Sequence, residues 1–508
     1  MSGKRVRTAV LAAAIGAFAG LTASVAQAPA ATVQTVAIPA TQAGNRAREV
    51  LASLLADHAA REALVRKTFT AKALAGTPVS DWVALLDTLA EQSGGLDPVA
   101  ISPDSDENFL VMDMRARKVD RYARIYFAVA RKTDPGKIAD LGVFAIRDPR
   151  RTAEDAWPTQ KLSISAIARA IDVRAKRLAM EDLLSGTILV AHNGKPVYTA
   201  SFGEAEKVFH ARNTPDTRFN IASAGKMFTA IAIGELVDAG KLSLEDTLAK
   251  WLPDFPNQEW AAKIRIRHLL SHTSGLGDFF GPDYARERTG FVRASDYFPL
   301  IAKDPLAFEP GTGFRYSNGG FALLGAIIER ASGETYDDYL AKHVFAPAGM
   351  TGAGNFALDA VVPNRATGYA SGLLDPLGIE PRKSNIMTIA YVGNGAGGQF
   401  ASARDLLAFS RTLQGNKLMS PQTTALFTAA KVDFVGSPRA EKYRYGFAVS
   451  QCGAKAVIGH GGGGANSGVD STLLMFADAS WTIIVLTNQD PPTGDDFAHG
   501  LCEFLARQ

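Results

Sequence analysis

Cysteine is nearly absent: Cys452 and Cys502 are the only two in 508 residues. That count excludes a disulfide-dense scaffold. An excess of charge of one sign is missing too. Lysine and arginine number 54 against 51 aspartates and glutamates, a net charge of +3. Lys4, Arg5 and Arg7 supply three of those cations, and without them the remaining chain is neutral. With no basic tract, there is no field to hold the protein on nucleic acid or anionic lipid. Beyond the N-terminal segment no apolar run reaches spanning length, so no membrane span is expected. Internal repeats are absent. What is present, 47% hydrophobic, 21% charged and 9% aromatic residues, is the composition of an ordinary folded protein. The length calls for more than one core.

Lys4, Arg5 and Arg7 precede an apolar, small-residue run from Ala9 to Val25, with Ser24-Val25-Ala26 and Ala28-Pro29-Ala30 after it. This predicts a signal peptide over 1–28, removed on export, and a periplasmic or secreted mature protein. In an oxidising compartment the two cysteines, 50 residues apart, either bridge or sit as two buried thiols.

Residues 29–43 read as an Ala/Thr/Pro linker. From Asn45 to Thr70, and again at Trp82, Leu85, Leu86 and Leu89, apolar residues recur at helical spacing. Phe109 to Met114, Tyr122 to Val129 and Ile138 to Ile146 then read as strands, separated by turn signals such as Asp134-Pro135-Gly136. Residues 44–150 are therefore expected to form a small α+β accessory domain, which resembles the curved-sheet domains of the cystatin or NTF2 type. Asp148 to Pro158 marks a boundary, and 160–508 follow as one long unit. There, Leu162 to Leu184 is helical by period, and Asn193-Gly194 joins two strands in a hairpin. A helix runs from Ala222 to Ala239, ending at Gly240. Strands recur at Tyr445 to Gln451, Ala456 to Gly459, Ser471 to Phe476 and Trp481 to Thr487, and Phe497 to Ala506 closes the chain as a helix. Strands at both ends imply an antiparallel sheet completed by the two termini, with a helical lobe between them.

Three groupings carry chemistry. Ser223-Ala224-Gly225-Lys226 opens the predicted helix, and a spacing of three places both side chains on one face. A lysine there can share the serine proton. Tyr316-Ser317-Asn318 lies 93 residues beyond the serine and is the only Tyr-x-Asn in the chain. Its phenol beside a lysine is a candidate general base, and its amide can both donate and accept. His460-Gly461-Gly462 ends a predicted strand 237 residues beyond Ser223, where glycines permit close approach of a substrate. A Gly-x-Ser-x-Gly elbow is absent. His268 and His272 stand at metal-clamp spacing, but no acidic residue lies between them as zinc proteases require. No metal and no cofactor are expected.

The ordered set Ser-x-x-Lys, Tyr-x-Asn and x-Gly-Gly resembles the penicillin-recognising serine hydrolases, over about Ile164 to Leu505. The Tyr-x-Asn form resembles the class C β-lactamase branch, with its D,D-peptidases, D-amino-acid peptidases and family VIII esterases. Leu269-Leu270-Ser271-His272-Thr273-Ser274-Gly275-Leu276, Gly397-Gly398 ahead of Ser402-Ala403-Arg404-Asp405-Leu406, and Thr487-Asn488 are similar to that branch. The resemblance implies a β-lactamase/transpeptidase-like fold of class α+β. It implies Ser223 as nucleophile, Lys226 as its proton partner and Tyr316 as general base. Asn318, His460, Gly461 and Gly462 would contact the substrate, and the N–H groups of Ser223 and Gly463 would form the oxyanion hole. The expected substrates are small esters, amides or peptides; the alternative is a catalytically weak binding or regulatory protein. β-Lactamases of this family carry Lys-Ser/Thr-Gly where this chain has His460, so β-lactamase activity is expected to be weak or absent. His460 would serve as a pH-dependent receptor for substrate carboxylates, with Arg315 as a possible substitute cation. Because every motif lies beyond Ile164, deleting 29–150 is expected to leave the Ser223 site assembled.

Overall fold

Two sheets organise the chain. The computed structural model describes residues 35–508 except 104, 132–133, 147, 150–155, 373–374, 435–440 and 465. The signal-peptide expectation and the first part of the linker lie outside the described residues.

Four helices come first: α1 (Gln42–Ser53), α2 (His58–Thr68), α3 (Ala71–Gly76) and α4 (Val79–Ser93). The helical period that runs from Asn45 to Thr70 is split, because the Asp57 carboxylate caps a new helix by accepting from the Ala60 N–H. The antiparallel meander β1 (Leu96–Ile101), β2 (Phe109–Ala116), β3 (Tyr122–Val129) and β4 (Ile138–Ile146) follows in that order. β1 has no counterpart in the sequence reading, whose strands begin at Phe109. Pro98 is tolerated there because β1 is an edge strand, and a bulge follows between Pro98 and Ala100. Leu110, Met112, Ile125 and Phe127 face the helices and pack with Val50, Val65, Leu86 and Leu89 in a core of their own. Order also begins earlier than residue 44: the Val36 N–H donates to Pro98 and Thr41 caps α1.

The second sheet has eight strands: β5 (Gly186–His192), β6 (Lys195–Phe202), β7 (Val432–Asp433), β8 (Lys442–Tyr443), β9 (Ala448–Cys452), β10 (Lys455–Gly463), β11 (Asp470–Phe476) and β12 (Trp481–Thr487). Their order is β7-β8-β9-β10-β11-β12-β5-β6, all antiparallel, so the N-terminal hairpin docks beside the last strand. Asn193 and Gly194 both take positive φ, 49° and 72°, as their hairpin signal requires. One face is covered by α5 (Ile164–Met180) and the C-terminal helix α9 (Thr493–Leu505). The other receives α6 (Lys226–Asp238), α7 (Asn318–Ser332) and α8 (Ala403–Gln414), with the helical lobe. α6 is apolar nearly all round, as a helix enclosed by protein must be. Among the described residues no helix is long and apolar enough to cross a membrane.

The two sheets belong to one compact unit, Thr35–Gln508. Leu377, 1% exposed, lies in the core of the four-stranded sheet although it comes from the long stretch between α7 and α8. Asp375 beside it accepts from Gln92 Nε2 at 3.0 Å, and Arg124 of β3 joins Asp113 to Asp496 of α9. Deleting 29–150 would thus strip partners from two segments of the larger unit, although none of the three motifs lies in the deleted stretch.

Cys452 of β9 and Cys502 of α9 are bridged, with Cα atoms 5.7 Å apart, on the sheet face opposite α6. Replacing both by serine is expected to lower stability by about 2–4 kcal/mol. The measurement is the denaturant midpoint, and turnover should be retained.

Candidate active site

Ser223 stands in a 3₁₀ turn, Ala222–Gly225, that runs directly into α6. The predicted single helix from Ala222 is therefore two elements. Ala222 is held at φ 42°, a left-handed conformation costly for a residue with a Cβ. The turn is fixed from three sides. The Ala222 N–H donates to Asn220 Oδ1 at 2.8 Å, Ser471 Oγ of β11 donates to the Ile221 carbonyl at 2.8 Å, and Gly398 N–H donates to the Ala222 carbonyl at 3.1 Å. Gly397, at φ 133°, leaves no room for a Cβ beside that carbonyl.

One turn on, Lys226 is wholly buried and its Nζ has three partners. They are Ser223 Oγ at 3.0 Å, Asn318 Oδ1 at 2.7 Å and the Ala396 carbonyl at 2.6 Å. Burial disfavours the ammonium and pulls its pKa down to about 7, against the opposing pull of Asp278. Tyr316 lies on the other side of the serine: its hydroxyl hydrogen-bonds Ser223, and Lys226 Nζ sits 4.9 Å from its ring centre. Burial raises the phenol above its ordinary range; the Ser223 bond lowers it, and Asp278 adds a further rise. These shifts run against the expected lysine-stabilised phenolate: burial works to keep the proton on Tyr316 and to take it off Lys226.

Asn318 begins α7, just after its cap Ser317, whose Oγ accepts from the Gly320 N–H and donates to the Gly277 carbonyl. Asn318 Nδ2 donates to Asp278 Oδ2 at 2.6 Å. His272 supports this segment from below: its Nδ1 accepts from the Ser317 N–H at 3.1 Å, and its ring lies 4.2 Å from that of Tyr316. It is fully buried, and burial holds it neutral. His268 Nδ1 accepts from the Arg265 N–H. Both histidines of the metal-clamp spacing are thus directed to backbone.

The end of β10 runs alongside the nucleophile. A Cβ on Gly462 would collide with the Ile221 carbonyl and come within 2.8 Å of the Ser223 nitrogen, so only glycine fits. Gly461 would tolerate one, its nearest neighbour being 3.6 Å away, and Gly463 takes φ 144° at the end of the strand. His460 departs from expectation. Its Nε2 contacts the Tyr443 hydroxyl at 3.1 Å and its Nδ1 contacts the Gly461 carbonyl. A carbonyl only accepts, so Nδ1 carries the proton and Nε2 accepts from Tyr443. Burial, and then the charge of Lys226, depress the ring to about pH 3. Both nitrogens are spent inside the protein, so the expected pH-dependent carboxylate receptor is not what this side chain forms. Arg315 is half-buried beside Gly277, with Asp304 and Asp278 as its nearby charges.

The structure thus brings together Ser223, Lys226, Tyr316, Asn318 and the β10 glycines, with His460 behind them. Asp278, the Ala396 carbonyl, Tyr443 and Phe434, which stacks on Tyr316 at 5.8 Å, were not read from sequence. Asp278 follows the Leu-Leu-Ser-His-Thr-Ser-Gly-Leu stretch by two positions and Ala396 precedes Gly397-Gly398. Adjacency to those stretches was the one available signal.

A serine hydroxyl within reach of an amine near its titration point is the arrangement of a serine hydrolase that uses lysine. The chain belongs to the Beta-lactamase family, whose profile matches residues 172–506, and it is a penicillin-recognising serine hydrolase. It is 31% identical over 323 residues to a penicillin-binding protein of Bacillus subtilis (strain 168), covering 61% of this chain and 69% of that one. Esterase EstB of Burkholderia gladioli is 30% identical over 317 residues, 56% of this chain and 79% of that one. D-aminopeptidase of Brucella anthropi is 29% identical over 289 residues, 54% of this chain and 51% of that one, about half its length. The crystal structure of a penicillin binding protein from Bacillus halodurans superposes with a TM-score of 0.55 at 31% identity, over 66% of this chain and 97% of that one. The β-lactamase/transpeptidase-like fold follows.

His460 is expected to remain neutral, with its proton on Nδ1, across about pH 5–8, where a free histidine would titrate. Nitrogen NMR of labelled histidine checks this.

Proposed function

We propose that the protein is an exported hydrolase that forms an acyl-enzyme on Ser223 and acts on esters or D-amino-acid amides. One observation carries the reading: a buried Lys226 amine, poised near neutrality, 3.0 Å from the Ser223 hydroxyl. In the proposed cycle neutral Lys226 takes the Ser223 proton as Oγ attacks the carbonyl carbon. Tyr316, still protonated, donates to the departing alkoxide or amine. The N–H groups of Ser223 and Gly463 receive the oxyanion. Water then attacks the acyl ester, its proton passing to the Tyr316 phenolate, while Lys226 returns its proton to the departing Ser223 Oγ and the carboxylic acid is released.

Neutral substrates are favoured because His460, in the place of the usual lysine, offers no cation. The esterase and D-aminopeptidase among the relatives support the same two substrate classes. Export is supported by the charged and apolar N-terminal segment and by the Cys452–Cys502 bridge, a bond that persists in oxidising compartments.

Intact-mass labelling with a fluorophosphonate should add one adduct to the wild type and none to Ser223→Ala. A folded wild type that takes no label would favour the binding-protein reading. Substrate class is read from p-nitrophenyl esters of rising length set beside D-alanyl amides, D-Ala-D-Ala peptides and a chromogenic cephalosporin, with esters or D-alanyl amides exceeding the cephalosporin.

Tyr316→Phe keeps the ring and removes the proton donor, so kcat should fall by about 100- to 10,000-fold with little change in melting temperature. For the wild type, kcat/KM should rise with pH through about 7, as Lys226 loses its proton. A profile flat through that range would remove Lys226 from the base role.

A further inference from the structure

Asp278 lies outside the three motifs, yet its carboxylate accepts from Asn318 Nδ2 at 2.6 Å. The loop that carries it is tied down on both sides. Its other oxygen accepts from the Phe279 N–H at 2.8 Å and the Phe280 N–H at 3.3 Å, while Ser317 Oγ holds the Gly277 carbonyl at 2.6 Å. A Cβ on Gly319 would meet the same carbonyl at 2.8 Å, so the loop and the start of α7 are in direct contact.

The amide of Asn318 has two ends, and they are used differently. Its oxygen accepts from Lys226 Nζ at 2.7 Å, and its nitrogen donates to Asp278. A carboxylate only accepts and an ammonium only donates, so these neighbours select one of the two amide orientations. Without the carboxylate, a flipped amide would face the lysine with its NH₂, donor against donor. Lys226 would keep Ser223 and Ala396 as partners and lose the third.

We infer that Asp278 is a positioning residue of this site: it fixes the Asn318 amide and, through it, the place and proton load of Lys226 against Ser223. The inference rests on the serine-hydrolase reading above and deepens it. The geometry also carries charge. Among the described residues Asp278, behind Asn318, is the one carboxylate acting on Lys226, and its field favours the ammonium. The other titratable groups facing Lys226 are Tyr316 from the segment before α7, His272 from the loop after Leu270, and His460 from β10, with Tyr443 of β8 behind them. The Gly395–Gly398 loop brings none. Around Asp278 itself stand Arg315 and Tyr284, the first a cation that partly offsets its charge. Removing the negative charge therefore lowers the pH at which Lys226 gives up its proton.

The test uses the full-length protein and a neutral p-nitrophenyl ester. Asp278→Asn is nearly isosteric and uncharged; kcat should fall by about tenfold, as for a loosened catalytic hydrogen bond, and the rising limb of the pH profile should move to lower pH by about one unit. Asp278→Glu keeps the charge and shifts its position, so its limb should stay near the wild-type pH while kcat falls. In an Asn318→Ala background, Asp278→Asn should cost far less in kcat than alone, because the amide it orients is gone. A purely structural role would lower the melting temperature of Asp278→Asn and leave the limb unmoved. Wild-type kcat with an unmoved limb in Asp278→Asn would overturn the proposal. If that variant does not fold, wild-type kcat in Asp278→Glu would overturn it. The fluorophosphonate adduct separates the two failures: no adduct on the wild type removes the hydrolase reading, whereas a normal adduct with an unmoved limb removes only the role of Asp278.

Discussion

A lysine amine with no access to water is the constraint around which the larger unit is arranged. Taking an ammonium out of water is expensive unless every proton finds an acceptor. Lys226 meets that demand with three acceptors from three parts of the chain: a hydroxyl on its own turn, an amide at the head of α7 and a carbonyl in the Gly395–Gly398 loop. Holding all three at 2.6–3.0 Å requires the lobe helices and the loop before α8 to converge on one point. The same burial that costs stability supplies the chemistry, since it brings the amine's proton affinity down to where a serine can use it.

The sheet serves that convergence. Closing it with β5 and β6 beside β12 fixes β10 and β11, whose ends meet the nucleophile turn: Ser471 bonds the Ile221 carbonyl, and Gly462 presses on the Ser223 nitrogen. The strained Ala222 persists because the turn is held from three sides. The four-stranded sheet at the N-terminal end is joined to this body by Leu377, Asp375 and the Arg124–Asp496 pair. Asp496 follows Asp495, which lies 3.8 Å from where a Cβ on Gly461 would stand.

His460 illustrates how a family position changes meaning. In the usual pattern a lysine there presents charge to the substrate. Here the ring is buried, its two nitrogens bonded to Tyr443 and Gly461, and it serves to hold an aromatic group, Tyr443, against His272.

The linear chain by itself determined the groupings that depend on spacing along one element. Ser223 and Lys226 fall together because a turn of helix repeats at that interval. The Asn193-Gly194 hairpin forms because both residues accept positive φ, and the paired termini follow from strands at both ends. Tertiary structure alone decided what depends on burial and on backbone. No side-chain pattern signals that Ala396 will offer a carbonyl to Lys226, or that Asp278 will reach Asn318 across 40 positions. Whether Tyr316 or Lys226 holds the proton, and whether His460 meets substrate or Tyr443, was likewise open. Proton affinity is set by how much water the fold removes and by which partners replace it. Those quantities exist only once the chain has closed around the amine.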